Sequence, residues 1–318
     1  MTDEISLESS KEERILSIQA DEAGVRLDRY LTFVLSGISR TTIQQLIENG
    51  EVLVNGHASK SGYTLRIGDN VQVMSLNKYT RASNIMPQSL PLDIVYEDKD
   101  LLVVNKAAGM VVHPAPGHWD DTLVNALIAR YPDITREDSE LRPGIIHRLD
   151  KDTSGLIIVA RNAITHSALA EQMKRHEIVK RYLALVEGVV ALDQGSIDAP
   201  VGRNPRHRKQ MAVTTVSSRE ARTNFRVVER YNRHTVLLLE LETGRTHQIR
   251  VHLKAIGHPI VGDPVYGSDH ISPGLALKRQ FLHASQLKFT HPTTGNIVKL
   301  EAPLAEDLQA ILDQKSFL

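Results

Sequence analysis

Hydrophobic positions divide the chain into two regions separated by a stretch without an apolar period. That stretch, residues 83–91, contains two prolines and is predicted to be a linker. Before it, helical spacing around Arg26–Leu35 is followed by a second helix up to Gly50 and by an apolar run that ends in Asn55-Gly56. Because Asn-Gly after an apolar run favours a hairpin turn, residues 24–82 are predicted to form a small helix–hairpin domain. Further strands are predicted at Tyr63–Arg66 and Asn70–Met74.

Beyond the linker, residues 92–318 consist mainly of short apolar runs bounded by turn residues. The predicted strands are Leu92–Tyr96, Leu101–Asn105, Gly144–His147, Leu156–Ala160, Tyr182–Glu187, Asn224–Tyr231, Thr235–Glu242, Gln286–Thr290 and Ile297–Leu300. The predicted helices are Asp121–Tyr131, Thr165–His176, His247–Ile256 and Ala305–Gln314. Most strands follow one another without a helix between them, which favours an α+β fold with a mixed, largely antiparallel sheet and peripheral helices.

Composition narrows the class of protein without identifying it. Lys and Arg together number 38, as do Asp and Glu, and there is no cysteine. The absence of cysteine excludes disulfides and thiolate metal sites and suits a reducing compartment. No apolar run reaches the roughly 20 residues of a membrane span, so we expect a cytoplasmic protein without a membrane segment. The acidic residues 1–14 are predicted to form a disordered tail.

The neutral total charge argues, taken alone, against a nucleic-acid-binding protein. Local balances differ from the total, because residues 24–82 hold seven basic and four acidic side chains. The segment 202–210 holds four basic residues and no acidic one. A neutral protein of this kind is compatible with locally basic surfaces.

The densest group of ionisable side chains is His147-Arg148-Leu149-Asp150-Lys151-Asp152, which lies between two predicted strands. A loop held between buried strands is a rigid mount for reactive groups. Asp150 and Asp152 together are compatible with a magnesium site or with a two-carboxylate glycosidase. A short Asp-x-Asp is also common in turns, and the Thr-Ser-Gly that follows favours a structural role for Asp152.

A second candidate segment is the predicted helix His247–Ile256. Arg250 lies on a different face from the apolar residues at helical spacing, which are predicted to be buried: Ile249, Leu253 and Ile256. His252 is roughly 200° around the helix from Arg250. His247 and His252 therefore cannot bind one metal ion together from this helix.

The first region resembles the S4 RNA-binding domain, in which the second helix and the adjoining hairpin face RNA. The matching positions are Arg26-Leu27-Asp28, Ser39-Arg40, Ile47, Gly50 and residues 52–56. The alternative is that these residues are only the core and caps of a small domain. RNA binding is favoured because several separate features match in the same order. This region is therefore expected to bind RNA, with Arg40 among the contacts.

The second region is similar to the RluA/RluD family of ribosomal large-subunit pseudouridine synthases, and most similar to the RluD type, which carries an S4 domain. The resemblance covers nearly everything from residue 24 onward. It is carried by Asn105-Lys106, Gly109, His113-Pro114, His147–Leu156, Lys180-Arg181-Tyr182, Gly244–His252, Gly257-His258-Pro259 and Gly262-Asp263. One small departure is Ala107-Ala108, where the family often has proline.

The resemblance implies a pseudouridine synthase fold and an enzyme that isomerises specific uridines in structured RNA, with large-subunit (23S) ribosomal RNA as the expected substrate and no cofactor or metal. It implies that Asp150 is the nucleophile and Arg250 its cationic partner. Tyr182 is then the aromatic residue stacked on the target base and a candidate general base, and Arg148 helps to extrude the uridine. These roles suit the chemistry, because a buried carboxylate stays charged more readily beside a guanidinium.

Further residues follow from the resemblance with less defined roles. Lys106 and His113 are expected to line the site. The basic segment is expected to contact phosphate through Arg203, Arg208 and Lys209, although a charged loop is more often simply solvated. The protein is expected to act as a monomer.

Several alternatives remain at this point. Tyr182 taken alone fits a strand residue packed in the core, and Arg250 taken alone fits a solvated helix residue. The competing functions are a tRNA pseudouridine synthase, a non-catalytic RNA-binding or ribosome-assembly factor on the same scaffold, and a metal-dependent nuclease using His147, Asp150 and Asp152. Whether Asp150 attacks the ribose or the base is open.

Overall fold

The computed structural model describes residues 14–35, 38, 40–74, 85–115, 118–134, 143–207, 210–267 and 277–314. The chain divides into two compact units, residues 1–86 and 87–318, and the division falls inside the predicted linker 83–91. Among the helices in these described ranges, none combines the length and the apolar character that crossing a membrane requires.

The first unit is a four-stranded antiparallel sheet with two helices. Its elements are β1 (Arg14–Ser17), α1 (Leu27–Val34), α2 (Arg40–Glu48), β2 (Val52–Val54), β3 (His57–Ala58) and β4 (Asn70–Val73), in the strand order β1-β4-β2-β3. Apolar side chains from both helices and from the sheet form one core, which includes Leu31, Ile43 and Val71. Helices this short are marginal on their own, so packing of this core stabilises them.

The turn at Asn55-Gly56 joins β2 to β3 as predicted. Both residues have positive φ, 52° and 79°, which is the combination that a type I′ hairpin turn requires. The predicted strand Tyr63–Arg66 is wrong, because only Thr64 forms an isolated bridge.

The first unit also begins earlier than predicted. Arg14 belongs to β1, which pairs with β4, so Arg14 is not part of a disordered tail and the domain starts before residue 24. This strand was missed because its four residues alternate too briefly to stand out from the polar residues around them. Residues 1–13 lie outside the described part of the chain.

The second unit contains the remaining elements. Its strands are β5 (Ile94–Glu97), β6 (Leu101–Lys106), β7 (Ser154–Ala160), β8 (Val179–Glu187), β9 (Gln194–Asp198), β10 (Val201–Arg203), β11 (Met211–Val213), β12 (Ser218–Arg219), β13 (Arg222–Arg230), β14 (His234–Leu241), β15 (Leu282–Thr290) and β16 (Ile297–Glu301). Its helices are α3 (Leu123–Arg130), α4 (Ala163–Lys174), α5 (Gln248–Ala255) and α6 (Glu306–Asp313).

One mixed sheet of nine strands organises this unit. The strand order is β5-β6-β7-β15-β8-β14-β13-β9, and β16 also pairs with β15. Among the described strands of this sheet, every pairing is antiparallel except the short contact between β7 and β15. The predicted α+β fold with a largely antiparallel sheet is confirmed. A smaller sheet has the order β11-β10-β12.

Residues 144–147 lie beside β7 but do not form the predicted strand. Gly144 accepts a hydrogen bond from the Ala160 amide, and Ile145 forms an isolated bridge with Val159. At the next position a side chain replaces the backbone partner, because Nε2 of His147 accepts from the Ile158 amide at 3.1 Å. The segment is therefore held along the strand edge while its backbone turns away toward Asp150.

Gly155 is required where β7 meets β15. Its φ is 112°, and a Cβ atom at this position would overlap the backbone of Ala284 in β15. The two strands pair here in parallel, with Gly155 opposite Ala284 and Ser154 opposite His283. Ser154 also hydrogen-bonds His283 through Oγ and Nδ1 at 2.9 Å. The start of β7, which follows the charged loop directly, is fixed by this close approach.

Substituting Gly155→Ala tests this constraint. We expect a loss of about 2 kcal/mol or more in the free energy of unfolding, because alanine adds both backbone strain and an overlap with β15. Urea denaturation measures the loss. Gly244→Ala is the matched control, since a Cβ there meets nothing within 4 Å and φ is not positive. An equal effect of both substitutions would contradict the close-contact explanation.

Candidate active site

Asp150 lies on the loop that leads into β7. A turn closes behind it, where the Thr153 amide donates to the Asp150 carbonyl at 3.1 Å. Asp152 lies within this turn, and its carbonyl accepts from Nη1 of Arg279 at 3.0 Å. The Asp150 side chain is partly buried and borders an open cavity of about 620 Å³.

Lys106, at the end of β6, is hydrogen-bonded to this loop. Its side chain is only 1% exposed, and Nζ donates to three carbonyls, those of Ala107 at 2.8 Å, Met110 at 2.9 Å and Lys151 at 3.0 Å. Burial lowers the pKa of Lys106 to about 7, and the nearby Asp152 and Asp150 oppose that shift. The three hydrogens of the ammonium are all used inside the protein, so these contacts favour a positioning role over the expected ligand contact.

Arg250, on α5, connects Asp150 to a second carboxylate. Its Nη1 donates to Oδ2 of Asp150 at 3.0 Å. Its other edge makes two parallel bonds to Asp263, from Nε to Oδ2 at 2.7 Å and from Nη2 to Oδ1 at 2.8 Å. The guanidinium also stacks over the ring of Tyr266, with 4.9 Å from Cζ to the ring centroid.

The charge of Arg250 is stabilised in a buried position. The residue is 5% exposed, and burial works against its charge, but the hydrogen bonds with Asp263 and the charges of Asp263 and Asp150 raise its pKa. Burial likewise opposes ionisation of Asp263, yet its bonds to Arg250 and to the amides of Val265 and Tyr266 lower its pKa. Arg250 therefore carries a permanent positive charge 3.0 Å from Asp150.

The facing predicted for this helix is partly wrong. Ile249 and Leu253 are buried as expected, but Ile256 is 40% exposed and Arg250 is buried instead. The spacing of apolar residues correctly predicted that Ile249 and Leu253 are buried. It could not show that Asp263 pairs with Arg250 and so allows Arg250 to be buried as well. A paired guanidinium loses less free energy on burial than a solitary one.

Tyr182 lies in β8 on the same cavity as Asp150. It is buried, and its backbone is opposite Leu239 of β14 and Ala284 of β15. Burial, and to a lesser degree the charge of Asp150, raises the pKa of the Tyr182 phenol well above its usual range. Arg148 and His113 line the cavity as well, with Arg148 exposed and His113 buried. The predicted residues Asp150, Tyr182, Arg148 and His113 therefore meet at one cavity.

His247 and Tyr266 also belong to this neighbourhood, although neither was assigned a site role from the sequence. His247 has a left-handed backbone with φ of 55°, and its Nδ1 is 2.8 Å from Oη of Tyr266. The same Oη accepts from the Met211 amide at 2.9 Å, so its own hydrogen is available to Nδ1. That leaves Nε2 of His247 as the donor, 3.9 Å from Oδ2 of Asp150.

The protein-family model for RNA pseudouridylate synthase matches residues 100–255, and the S4 domain model matches residues 25–71. An uncharacterized RNA pseudouridine synthase of Bacillus subtilis, YlyB, is 44% identical over 298 residues, which cover 94% of this chain and 96% of that protein. The chain belongs to the RNA pseudouridine synthase family.

Other relatives agree with this family. The ribosomal large subunit pseudouridine synthase D of Xanthomonas campestris is 42% identical over 325 residues, covering 98% of this chain and 95% of that protein. The solved structure of human RNA pseudouridylate synthase domain containing 1 is 28% identical, with a TM-score of 0.55, and covers 72% of this chain and 96% of that one. The chain is thus a pseudouridine synthase of the RluA/RluD type with an S4 domain, and its partner is RNA.

In the S4 domain of this pseudouridine synthase, Arg40 is tied to a buried carboxylate. Asp28 is fully buried and accepts from Arg40 at 2.7 Å, from Arg26 at 3.0 Å and from Gln44 at 3.0 Å. The hydrogen bond with Arg26, together with those of Arg40 and Gln44, lowers the pKa of Asp28 against the effect of burial. Both arginines remain about half exposed although they bind Asp28. Ser39 lies outside the described residues.

The basic segment of the synthase unit is described only in part. Arg203 ends β10 and is exposed, whereas Arg208 and Lys209 lie outside the described residues. In the described part of the chain, the only group of three residues whose ligand atoms approach closely enough to hold a metal ion is Asp98, Asp100 and His291. That group does not include His147, Asp150 or Asp152, the residues of the nuclease alternative.

Substituting Asp263→Asn tests the ion pair that holds Arg250. We expect the free energy of unfolding to fall by about 3 kcal/mol, because a buried guanidinium loses one of its charged partners. The measurement is urea denaturation. Glu240→Gln is the matched control: Glu240 pairs with Arg181 at 2.7 Å, but both side chains are well exposed, so its loss is expected to cost less than about 1 kcal/mol. Similar losses for both variants would show that burial of the Arg250 pair is unimportant.

Proposed function

We propose that this pseudouridine synthase isomerises uridine in large-subunit ribosomal RNA, with the carboxylate of Asp150 as the nucleophile. The observation that carries this proposal is the pairing of Asp150 with the buried Arg250 at the edge of a cavity that Tyr182 also lines. Relatives such as the ribosomal large subunit pseudouridine synthase D of Xanthomonas campestris support ribosomal RNA as the substrate class.

The reaction requires a positioned anion and no net change of oxidation state. The bond between N1 of uracil and C1′ of ribose breaks, a bond between C5 and C1′ forms, the proton of C5 leaves, and N1 gains a proton. A carboxylate serves as a covalent catalyst at either the ribose or the base during this exchange. Arg250 binds Oδ2 of Asp150, and Asp150 also borders the cavity in which the uridine is proposed to bind.

Tyr182 is proposed to stack on the target uracil. Its raised pKa keeps the phenol protonated at neutral pH, which favours stacking over action as a general base in the free protein. Arg148 is exposed beside the cavity and is proposed to occupy the space that the extruded uridine leaves. Flipping a nucleotide costs a few kcal/mol, which stacking and a wedge side chain offset.

Mapping of pseudouridine tests the function. The protein is incubated with a transcript of large-subunit ribosomal RNA, and the product is mapped by carbodiimide-blocked reverse transcription. We expect new stops with the wild-type protein and none with Asp150→Asn, which keeps the size of the side chain but removes the nucleophile. RNA binding by the variant is expected to remain within about threefold, because neutral Asn still accepts from Arg250.

Each competing function gives a distinct result in this assay. Turnover by Asp150→Asn would remove Asp150 from its role, and the absence of stops on any cellular RNA, together with tight binding, would favour the non-catalytic factor. Stops that occur only on tRNA would favour the alternative that the protein is a tRNA pseudouridine synthase. Activity is expected to persist in EDTA, and activity that EDTA abolishes and magnesium restores would favour metal-dependent chemistry.

Removing residues 1–86 tests the separation of binding from chemistry. The S4 domain has its own core and its own arginine pair, so its loss is expected to raise KM about tenfold or more while kcat on a saturating substrate changes little. Steady-state kinetics separate the two effects. A loss of kcat equal to the rise in KM would show that the S4 domain takes part in the chemical step.

A further inference from the structure

Lys180 is a buried cation that lacks an anionic partner. It lies in β8 two residues before Tyr182, and it is 7% exposed. Among the described residues, its Nζ meets only Sδ of Met173, at 3.1 Å. A thioether is a weak acceptor and carries no charge. A buried ammonium without an anion is costly, so it is an unusual feature of a folded protein unless a ligand completes it.

Lys106 shows what a completed buried lysine looks like in this protein. Its Nζ donates to three carbonyls, and two carboxylates lie close enough to oppose the effect of burial. Lys180 has neither kind of compensation, and burial alone lowers its pKa to about 8. The two lysines therefore differ in kind, because Lys106 is satisfied within the fold and Lys180 is not.

Lys180 and His147 line the same cavity as Asp150 and Tyr182. Nε2 of His147 accepts from the Ile158 amide, so in the neutral imidazole Nδ1 carries the hydrogen. Burial, with the charge of Lys180, lowers the pKa of His147 to about 3, which keeps the imidazole neutral. No described residue accepts from Nδ1. Lys180, whose Nζ has only a thioether as acceptor, and His147, whose Nδ1 has no acceptor among the described residues, thus line one cavity with two donors.

The two carboxylates that line this cavity have other partners. Asp150 is bound by Arg250 at 3.0 Å, and Glu242 accepts from Asn224 at 2.9 Å. Lys174 and His176 add basic character to the exposed rim. One part of the cavity is therefore basic, and a bound anion there would meet positive charge or neutral donors.

We propose that Lys180, with His147, binds the phosphodiester next to the target uridine. The spacing supports a neighbouring group and not the stacked base itself, because residues two apart on a strand face the same side and lie about 6.6–6.8 Å from each other. A neutral carbonyl of uracil would satisfy a donor but would leave the ammonium without an opposite charge. This inference rests on the proposed function, since it assumes that RNA enters the cavity with its uridine against Tyr182.

Contacts at both Tyr182 and Lys180 would fix the path of the RNA backbone through the cavity. A flipped uridine is held at two points, its base at Tyr182 and its flanking phosphate at Lys180, so the direction in which the backbone crosses the cavity is fixed. Phosphate contacts of this kind set register without reading sequence. Lys180 is thus a positioning residue for the substrate.

The test is a double-mutant cycle between Lys180 and single RNA phosphates. The probe is a short RNA stem-loop that carries the mapped uridine, or the RNA segment that the protein binds most tightly if no uridine is converted. Each phosphate on the two sides of that uridine, or each phosphate along the bound segment if no uridine has been mapped, is replaced in turn by a neutral methylphosphonate. Affinity is measured for the wild-type protein and for Lys180→Met, which keeps an unbranched apolar side chain as far as the position of Cε and removes the charged Nζ.

For the wild-type protein we expect one neutral linkage beside the uridine to weaken binding about tenfold to a hundredfold, the effect of one charge-assisted hydrogen bond. Lys180→Met is expected to lose a similar factor with native RNA and to lose less than about twofold more with that neutral linkage. A full additional penalty in the variant at every linkage would overturn the proposal, as would native affinity of the variant for unmodified RNA.

Lys174→Met is the matched control. Lys174 borders the same cavity, but its side chain is 79% exposed and pairs with Glu171. Its removal is expected to weaken binding slightly with all RNAs and to leave the penalty of the neutral linkage unchanged. Equal behaviour of Lys174→Met and Lys180→Met would also overturn the proposal, because general attraction would then explain both.

Stability separates a ligand contact from a structural role. Replacing an uncompensated buried ammonium by Met is expected to leave the melting temperature unchanged or to raise it. A marked fall in melting temperature would show that Lys180 is structural and would overturn the proposal. Failure of the proposed function is distinguishable, since it appears as absent conversion of native RNA by the wild-type protein, whereas the binding cycle is measured without turnover.

Discussion

The buried guanidinium of Arg250 is the constraint on which the proposed active site depends. It binds Asp263, 13 residues away, with two hydrogen bonds, and Asp150, 100 residues away, with one. The Asp263 pair compensates the charge of Arg250 inside the protein, so the bond to Asp150 is made by a guanidinium that is already fixed. The direction of the Asp150 carboxylate is therefore set by a part of the chain that is remote in sequence.

The backbone of the Asp150 loop is fixed by different means. Lys106 donates hydrogen bonds to the carbonyls of Met110 and Lys151. Gly155 lets β7 approach β15 more closely than any other residue would allow. Side-chain and backbone constraints thus reach Asp150 from separate directions. Such support on a rigid sheet holds the Asp150 carboxylate in one geometry, which its proposed role as nucleophile requires.

Local patterns were sufficient for much of the fold. The Asn55-Gly56 turn, the class of the sheet and the position of Tyr182 on a strand follow from short-range rules of spacing and turn chemistry. The charged loop was recognisable because apolar runs flank it. The family resemblance implies that Arg250 pairs with Asp150. Helical periodicity alone predicts that Arg250 is exposed to solvent.

The remaining features depend on contacts between distant segments. No spacing rule shows that His147 would replace a backbone partner of β7, or that Tyr266 would join His247 to Met211. The buried state of Lys180 was equally hidden, because a lysine in an exposed strand and one beneath a cavity look the same in sequence. These side chains acquire their roles only from what packs against them.

The parallel contact of β7 with β15 has a consequence for the order of events during synthesis. Ser154 and His283 are 129 residues apart, and Arg279 reaches the Asp152 carbonyl across 127 residues, so the support of the Asp150 loop is completed late. The described contacts of the S4 domain, by contrast, lie within residues 14–74, from Asp28 with Arg40, 12 residues away, to the pairing of β1 with β4. Local contacts form first and domains fold as units. During synthesis the S4 domain is therefore expected to fold well before the contacts that support the Asp150 loop can form.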